Sequence, residues 1–320
     1  MPFSETAAVF TGLCVAVGAL GGVGSAWAQA SPAAVSPPLV VCMSEDNAPQ
    51  SWVGPDRKVR GFDVLVSEAV AAELGRPLRV VPFESKYEKD SSLTHEVNAL
   101  LSAGVCDLVS GFPLIRSDLG PPTRDVFKTP DYPGAKRKPQ RPWIALGTLA
   151  ASEPYQSTTF SVVLAREGRS VKTLADLRGV KTGVVTGTLA GTAMVMYRNG
   201  LLRPDMVTLT QREDRWAALG SDRIEALVTQ TAAFDAYRLQ QPGTPFVASG
   251  FQHSTGLNLG FVALQEQQPL LQAANRVIGA ALQDGRMGQW AQAAGLSWLP
   301  PSKPAVMEQF SLEALLDDLP

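Results

Sequence analysis

The amino-acid sequence predicts an α/β fold, because short apolar runs typical of strands alternate twice with helical patterns. One alternation begins at residue 39 and the other at residue 158. Strands that alternate with helices form parallel sheets covered on both faces. The chain of 320 residues is too long for one ordinary core and suits two lobes. With 45% hydrophobic and 18% charged residues, it has the composition of a globular protein.

The first alternation consists of three strands and two helices. The predicted strands are residues 39–43, 78–83 and 106–111, and the predicted helices are 63–74 and 92–104. Loops at the carboxyl ends of parallel strands form the ligand crevice of such folds. We therefore expect residues 44–52 and 110–113 to face a binding site.

The helix at 63–74 has one apolar stripe at spacings of three and four residues. The residues of this stripe are Phe62, Val66, Ala69, Val70 and Leu74. Asp63 is predicted as the N-cap, with its carboxylate on a free backbone N–H, and Gly75 as the residue that ends the helix.

A long irregular segment at 114–147 follows, rich in proline, glycine and basic residues. A loop of this length inside a domain is usually functional or mobile. Its basic cluster at 136–141 is interpreted as part of a solvated loop rather than as a binding surface.

The second alternation fills the rest of the chain. Its predicted strands are 158–165, 181–187, 206–210, 224–230, 245–249 and 257–264. Its predicted helices are 170–179, 189–201, 231–240, 268–285 and 286–295, with a helix or turn at 215–223 and a frayed helix near 310–319.

The N-terminus has the pattern of a secretory signal peptide over residues 1–28. The apolar run carries no charge after Glu5 and ends in Ala26-Trp27-Ala28, a small-x-small cleavage pattern. No Lys or Arg precedes the run, so retention as a membrane anchor is the alternative. Residues 29–38 are predicted to be a linker. The formal net charge of −2 gives no reason to expect nucleic acid as a partner.

Cysteine usage predicts a disulfide in the exported protein. Removing Cys14 with the signal peptide leaves Cys42 and Cys106, an even number in an oxidising compartment. Both lie in predicted strands, and neighbouring strands would allow the bond. Two buried free thiols are the alternative.

Catalytic and metal-binding motifs are absent from the sequence. Its two histidines, His95 and His253, have no cysteine, serine elbow or acid at a motif spacing. The glycine-bearing run at 183–192 is neither a dinucleotide-binding nor a P-loop pattern. We expect a binding protein without cofactor or metal rather than an enzyme.

Four stretches, in order along the chain, resemble bacterial extracellular solute-binding proteins of family 3, the periplasmic receptors of amino-acid-type ABC transporters. They are GFDVLVSEAVAAELG (61–75), SEPYQSTTFSVVL (152–164), VKTLADLRGVKTGVVTGT (171–188) and ALQDGRMGQWAQAAG (281–295). Leu65 stands where the family's first motif usually has a second acid. The cysteines in LVVCMSEDNAP and CDLVSGFP resemble those of a subgroup associated with quinoprotein alcohol dehydrogenases, and this supports the pairing of Cys42 with Cys106.

The resemblance implies a two-lobe periplasmic-binding-protein-like fold of type II, with two hinge strands. Lobe 1 would comprise 39–157 and 252–300, lobe 2 would comprise 158–251, and 301–320 would be a C-terminal tail. The protein would act in the periplasm as a monomer, with an ABC permease or a quinoprotein dehydrogenase as its partner.

The resemblance and the loop positions together predict a ligand site in the cleft. Its residues would be Asn47, Trp52, Ser110, Gly111, Phe112, Thr186, Gly187, Thr188 and Gln230, with Arg116, Arg124 or Arg141 as the arginine candidates. Backbone N–H groups at Gly187 and Thr188, where a helix begins, would suit an anionic group. Gln230 stands where the family has an acid for the α-amino group, which argues against an ordinary amino acid. Asp235 is predicted to lie on a solvated helix face.

Two other functions remain compatible with the sequence. One is a periplasmic accessory protein for a quinoprotein dehydrogenase, which would grip its partner through the cleft or the 114–147 segment. The other is a dehydratase-like enzyme, since cyclohexadienyl dehydratases resemble the same scaffold. An enzyme of this kind would need a buried carboxylate with a raised pKa.

Overall fold

A mixed β-sheet runs through the part of the chain that the structure, a computed structural model, describes: residues 36–84 and 92–320. The strands are β1 (Leu39–Ser44), β2 (Asp46–Asn47), β3 (Ser51–Val53), β4 (Val59–Arg60), β5 (Leu78–Phe83), β6 (Leu108–Pro113), β7 (Val126–Phe127), β8 (Ile144–Ala145), β9 (Leu149–Ala151), β10 (Gln156–Leu164), β11 (Thr182–Val185), β12 (Met206–Leu209), β13 (Ala226–Gln230) and β14 (Val247–Leu264). The helices are α1 (Phe62–Glu73), α2 (Leu93–Ser102), α3 (Leu189–Met196), α4 (Arg215–Gly220), α5 (Thr231–Gln240), α6 (Gln268–Asp284), α7 (Arg286–Ala294) and α8 (Leu312–Asp318). The predicted signal peptide and residues 29–35 of the predicted linker lie outside the described residues.

The main sheet of the described residues has the strand order β12-β11-β13-β10-β14-β6-β1-β5, with β9 added on β14. At one end, β5, β1 and β6 are parallel, and we call them the first trio. At the other end, β12, β11 and β13 are parallel, and we call them the second trio. The antiparallel strands β10 and β14, the central pair, join the two trios. The predicted parallel pairing is thus confirmed within each trio.

Several predicted elements differ from the structure. The predicted helix 189–201 is helical only over Leu189–Met196 and continues as a 3₁₀ turn at Tyr197–Asn199. Residues 245–249 and 257–264 belong to one strand, β14, which continues because β10 pairs with both parts of it. Residues 170–179 contain only a 3₁₀ turn at Leu174–Leu177, with a capping box between Thr173 and Asp176. That turn buries Leu174 and Leu177 within four residues. A longer helix is therefore not needed to bury the apolar side chains of this segment.

Apolar side chains fill both faces of the sheet. Around the first trio, α1, α6 and α7 cover one face, and α2 covers the other. Around the second trio, α3 and α8 lie over one face, and α4 and α5 over the other. The predicted disulfide between Cys42 and Cys106 is confirmed, with a Cα–Cα distance of 5.7 Å. It links β1 to the residues that lead into β6.

The start of α1 differs from the prediction. Gly61, not Asp63, is the N-cap, and no side chain caps the helix. Gly61 has a φ of +129°, and a Cβ there would lie 2.2 Å from the carbonyl oxygen of Gln50. Only glycine lets the chain turn into the helix so close to the preceding loop. Asp63 instead lies buried in the first helical turn.

The C-terminal tail (301–320) contacts residues next to both trios. The backbone N–H of Arg116, which follows β6, donates to the carbonyl of Met307 at 2.8 Å. Farther along, Leu315 and Leu319 of the tail are buried in the core around α3. The Tyr197 hydroxyl donates to the carbonyl of Pro320 at 2.7 Å. The tail therefore forms a connection between the two ends of the sheet besides the central pair.

Residues 36–320 cluster into one compact unit, and the lobe boundaries stay a prediction. None of the helices within 36–84 and 92–320 is both long and apolar enough to cross a bilayer.

Candidate functional site

A cavity of about 760 Å³ opens where β1, β6 and β13 reach their carboxyl ends. Ser44 ends β1, Ser110 to Pro113 end β6, and Gln230 ends β13; all of them line the cavity. Residues of the central pair, such as Thr158 and Thr255, also line it. Both trios and the central pair therefore contribute to one crevice, in the position where α/β sheets bind ligands.

Five of the predicted site residues lie in the wall of this cavity. They are Asn47, Ser110, Gly111, Phe112 and Gln230. The expectation that residues 44–52 and 110–113 face a crevice thus holds for most of the residues concerned. Their part in ligand binding stays a prediction.

Trp52 and Arg116 lie away from the wall. Trp52 belongs to β3, where it pairs with Asp46 and Arg60 in a small antiparallel sheet. Arg116 lines a second, smaller cavity of about 510 Å³ and forms an ion pair with Glu308 at 3.3 Å.

The other two arginine candidates also have partners elsewhere. The Arg124 guanidinium lies 5.9 Å from the centroid of the Phe127 ring. Arg141 is buried, and it donates to the Asp131 carboxylate and to the Thr129 carbonyl. None of the three arginines is among the lining residues of the large cavity.

The turn at Thr186, Gly187 and Thr188 approaches the cavity through the residues that follow it. Thr188 is the N-cap of α3, and its hydroxyl oxygen accepts the Gly191 N–H at 3.0 Å. Leu189 and Ala190, in the first turn of the helix, line the cavity, whereas the three predicted residues do not. Binding of an anion by this turn stays a prediction.

Asp63 forms the centre of a buried hydrogen-bond network in the cavity wall. Its Oδ2 accepts the Ser110 hydroxyl at 3.0 Å, and its Oδ1 accepts the Tyr155 hydroxyl at 3.0 Å. The Tyr155 oxygen in turn accepts the Gly111 N–H at 2.6 Å. Gly111 has a φ of +66°, and a Cβ there would lie 2.8 Å from Asp63 Oδ2. The network fixes the backbone of Ser110 and Gly111 at the end of β6.

Burial raises the pKa of Asp63 to about 7, although the hydrogen bonds from Ser110 and Tyr155 lower it. Burial and the neighbouring carboxyl hold the pKa of Tyr155 well above its ordinary value. Asp63 therefore exchanges its proton near neutral pH while Tyr155 stays protonated. Sequence reasoning missed this role, yet the signal was present: Asp63 is spaced three and seven residues from the buried Val66 and Val70.

Two further wall residues, Gln50 and Gln156, carry buried amides. Only 5% of Gln50 and 4% of Gln156 is exposed. Within the described part of the chain, the Oε1 atom of each has no hydrogen-bond partner. Gln50 lies in the loop that was predicted to face the site, whereas no pattern distinguishes Gln156 from the rest of its strand.

The prediction that Asp235 lies on a solvated helix face is wrong. This residue is buried, and its carboxylate accepts the Ser297 backbone N–H and hydroxyl, each at 2.7 Å. Burial raises its pKa, and the two bonds from Ser297 oppose that shift. Because Ser297 lines the cavity, Asp235 supports the wall from behind.

The described lining residues include no lysine, arginine or histidine. The acids are Glu45, Asp46, Asp63 and Glu84, and the neutral polar residues are Ser44, Asn47, Gln50, Ser51, Ser110, Gln156, Thr158, Thr159, Gln230, Thr255 and Ser297. In residues 36–84 and 92–320, no group of three or more His, Cys, Asp or Glu side chains is placed to hold a metal ion. About half of the described lining residues are polar and about half are apolar, and the charged ones are all acidic.

No protein-family model matches the chain, and no curated protein matches its sequence. Solved structures do match. The second substrate-binding domain of GlnP from Lactococcus lactis, in an open conformation, is 17% identical with a TM-score of 0.57, covering 79% of this chain and 93% of its own. A second substrate-binding domain from Streptococcus pneumoniae, described with an amino acid ABC transporter, is 14% identical with a TM-score of 0.56, covering 79% and 97%. An ancestral cyclohexadienyl dehydratase is 18% identical with a TM-score of 0.51, covering 80% and 92%.

At these identities the likeness concerns the fold. Together with the mixed sheet, it shows a two-lobe periplasmic-binding-protein-like α/β fold, and the assignment of two hinge strands stays a prediction.

Proposed function

We propose that this protein is a periplasmic solute-binding protein that captures a small organic molecule in the large cavity. The observation that carries the proposal is the composition of the wall, because both trios and the central pair contribute residues to it. A ligand that contacts both ends of such a sheet can stabilise one relative arrangement of them. Solved receptor domains of the same fold support this interpretation.

Two further features support a location outside the cytoplasm. The disulfide between Cys42 and Cys106 is of a kind that persists in oxidising compartments. The predicted signal peptide at 1–28 fits the same compartment. We propose delivery to an ABC permease because one matching structure is described as a substrate-binding domain of an amino acid ABC transporter.

A thermal-shift screen of the mature protein against small metabolites tests this function. A ligand at 100 times its Kd adds about 2.7 kcal/mol of apparent stability, which is an easily measured shift. Silence across organic acids, amino acids, alcohols and sugars would contradict the proposal.

The anionic ligand predicted from Gly187 and Thr188 has a single structural support. Helix α3 begins beside the cavity, but its contributions there are Leu189 and Ala190. Since no basic side chain is among the described lining residues, an anion would rely on backbone N–H groups. The receptor function that we propose therefore does not depend on a negatively charged ligand.

A second candidate function is an enzyme of the dehydratase type, and Asp63 is the observation that favours it. A buried carboxyl with a pKa of about 7 in a cavity wall has the properties of a general acid or base. An ancestral cyclohexadienyl dehydratase shares the fold. Turnover of cyclohexadienyl substrates that disappears in Asp63→Asn would support this candidate, and turnover retained in that variant would contradict it.

The accessory role for a quinoprotein dehydrogenase would use the 114–147 segment. Trp143 is 64% exposed there, and the Lys128 ammonium lies 5.1 Å from the centroid of its ring. Exposed tryptophans with a basic neighbour are frequent anchors in protein interfaces. Co-purification with a dehydrogenase that Trp143→Ala abolishes would support this role, and unchanged co-purification would contradict it.

A further inference from the structure

The amides of Gln50 and Gln156 are the most unusual polar groups in the cavity wall. Both residues are more than nine-tenths buried and line the cavity, yet the Oε1 atoms find no partner in the part of the chain described. A buried polar group without a partner costs free energy, so native proteins rarely keep one without a use. A bound molecule is the natural partner for amides in this position.

The chemistry of the amide limits the group that can satisfy it. Rotation of a glutamine amide by half a turn exchanges its oxygen and its nitrogen. An ammonium group can only donate, and a carboxylate can only accept, so each satisfies one orientation. A hydroxyl group both donates and accepts, and it therefore satisfies either orientation of Gln50 and Gln156.

The rest of the wall fits a neutral hydroxylated molecule as well. Thr158, Thr159 and Thr255 of the central pair line the same cavity, and their hydroxyls already bond within the protein, for example Thr158 to Thr255 and to the Leu257 carbonyl. The aromatic lining residues are Phe83, Phe112, Phe160 and Phe310, which offer surface for the C–H groups of a ring. An anionic ligand would lose its hydration beside acidic side chains and would find no basic partner among the described lining residues, which costs more than burying a hydroxyl group that is hydrogen-bonded.

We propose that the cavity binds a polyhydroxylated small molecule, a sugar or a polyol, whose hydroxyl groups bond to Gln50 and Gln156. This inference rests on the proposed receptor function and names its class of ligand.

The first test needs no ligand. In Gln50→Met and Gln156→Met, an apolar side chain of similar length replaces a buried amide whose Oε1 has no partner among the described residues, so we expect the melting temperature to rise by about 2 °C. Gln252→Met is the matched control, because its Nε2 donates to Thr159 Oγ1 at 3.1 Å and to the Ser297 carbonyl at 2.9 Å. That variant should melt at a lower temperature. If Gln50→Met and Gln156→Met also melt lower, their amides have partners in the free protein and the inference is overturned.

The second test separates the ligand class from the receptor function. Glucose, xylitol and myo-inositol are compared with succinate, putrescine and glutamine by thermal shift on the mature protein. We expect a shift from at least one polyhydroxylated probe, weakened tenfold or more in affinity by Gln156→Met. Shifts from the charged or zwitterionic probes alone would overturn the ligand class and leave the receptor function supported. Silence for all six probes would overturn the inference and count against the receptor function too.

Discussion

At the scale of single residues, Asp63 is the fully buried acid among the described residues of the cavity wall. The carboxyl lies on the buried face of α1, and its bonds to Ser110 and Tyr155 hold the end of β6 in place. Its pKa of about 7 lies above the ordinary value of 3.8, so the folded protein binds this proton more tightly than the unfolded chain does. The proton on Asp63 is thus linked to folding.

This linkage predicts a fall in stability as the pH rises. The contribution of the Asp63 proton is fully present below about pH 4 and is lost as the pH approaches 7, which amounts to about 4 kcal/mol. In Asp63→Asn the side chain is neutral at every pH, so the free energy of unfolding should vary much less from pH 4 to 8. Urea denaturation of both proteins across this range measures the difference. Parallel pH profiles for the two proteins would show that Asp63 does not carry the effect.

Gly111 allows a matched pair of alanine substitutions. Gly111 and Gly104 have nearly the same φ, +66° and +67°, but a Cβ meets nothing within 4 Å at Gly104 and meets Asp63 Oδ2 at 2.8 Å at Gly111. We expect Gly104→Ala to cost about 1 kcal/mol from backbone strain alone, and Gly111→Ala about 3 kcal/mol because the network must also shift. Chemical denaturation compares the free energies of unfolding of the two variants. Equal losses of stability would mean that the Asp63 hydrogen-bond network shifts without a free-energy cost.

Sequence reasoning located the site in part. It identified the loops at the ends of β1 and β6 because strand ends follow from apolar runs and their order. It missed the network at Asp63 because a carboxyl at a helix start is usually a cap, and the partner Tyr155 lies 92 positions away in sequence. Gln156 could not be singled out, since a buried amide in a strand is recognised only when its lack of partners is visible.

At the scale of elements, the disulfide ties β1, whose last residue Ser44 lines the cavity, to the residues that lead into β6, which lines the cavity over Val109 to Pro113. Cys42 lies in β1, and Cys106 lies just before β6. The two cysteines are separated by 64 positions, so the bond closes a long loop in the unfolded chain.

Removing this bond should destabilise the protein by about 4 kcal/mol in the loop-entropy account. The double substitution Cys42→Ala and Cys106→Ala tests it by urea denaturation, with the reduced wild type as a second measurement. A loss well under 1 kcal/mol in both would show that the strands are held by packing alone.

The tail contains α8, whose packing is also testable. Leu315 is buried in the core around α3, so Leu315→Ala should cost about 3 kcal/mol through the lost contacts and the cavity left behind. Glu313→Ala, on the exposed side of the same helix, is the control and should cost less than 1 kcal/mol. Limited proteolysis and thermal unfolding both report the difference. Equal behaviour of the two variants would mean that α8 is detached in solution.

Helices with strong periodicity were predicted within a few residues, and α5 matches its predicted range of 231–240. The errors have tertiary causes. The continuity of β14 depends on pairing with β10, a contact between distant parts of the chain. Gly250 and Gly256 interrupt the apolar pattern of the sequence, which is typical of a loop, and both have positive φ. The strand β14 nevertheless continues through them.

At the scale of the whole molecule, the two trios share the central pair of strands as their connection and are not independent bodies. The central pair connects the trios, and residues 36–320 form one compact unit. The tail adds contacts beside β6 and around α3. The length and the two alternations predicted two lobes, but the degree of their coupling depends on these shared strands and was not visible in the sequence.

Shared strands predict a single cooperative unfolding transition. Gly111→Ala acts beside the first trio and Leu315→Ala beside the second, so each should shift the whole calorimetric transition rather than one part of it. Differential scanning calorimetry checks this through the ratio of the calorimetric to the van't Hoff enthalpy, which should stay near one. A split into two peaks in either variant would show that the trios unfold separately.

The path of the tail has a practical consequence for anyone who shortens the chain. Its helix packs against α3, and the core around α3 would lose Leu312, Leu315, Leu316 and Leu319 after truncation near residue 308. The shortened protein would present a fresh apolar patch to water and would tend to aggregate. Trimming this segment as if it were a dispensable extension would therefore remove part of the core.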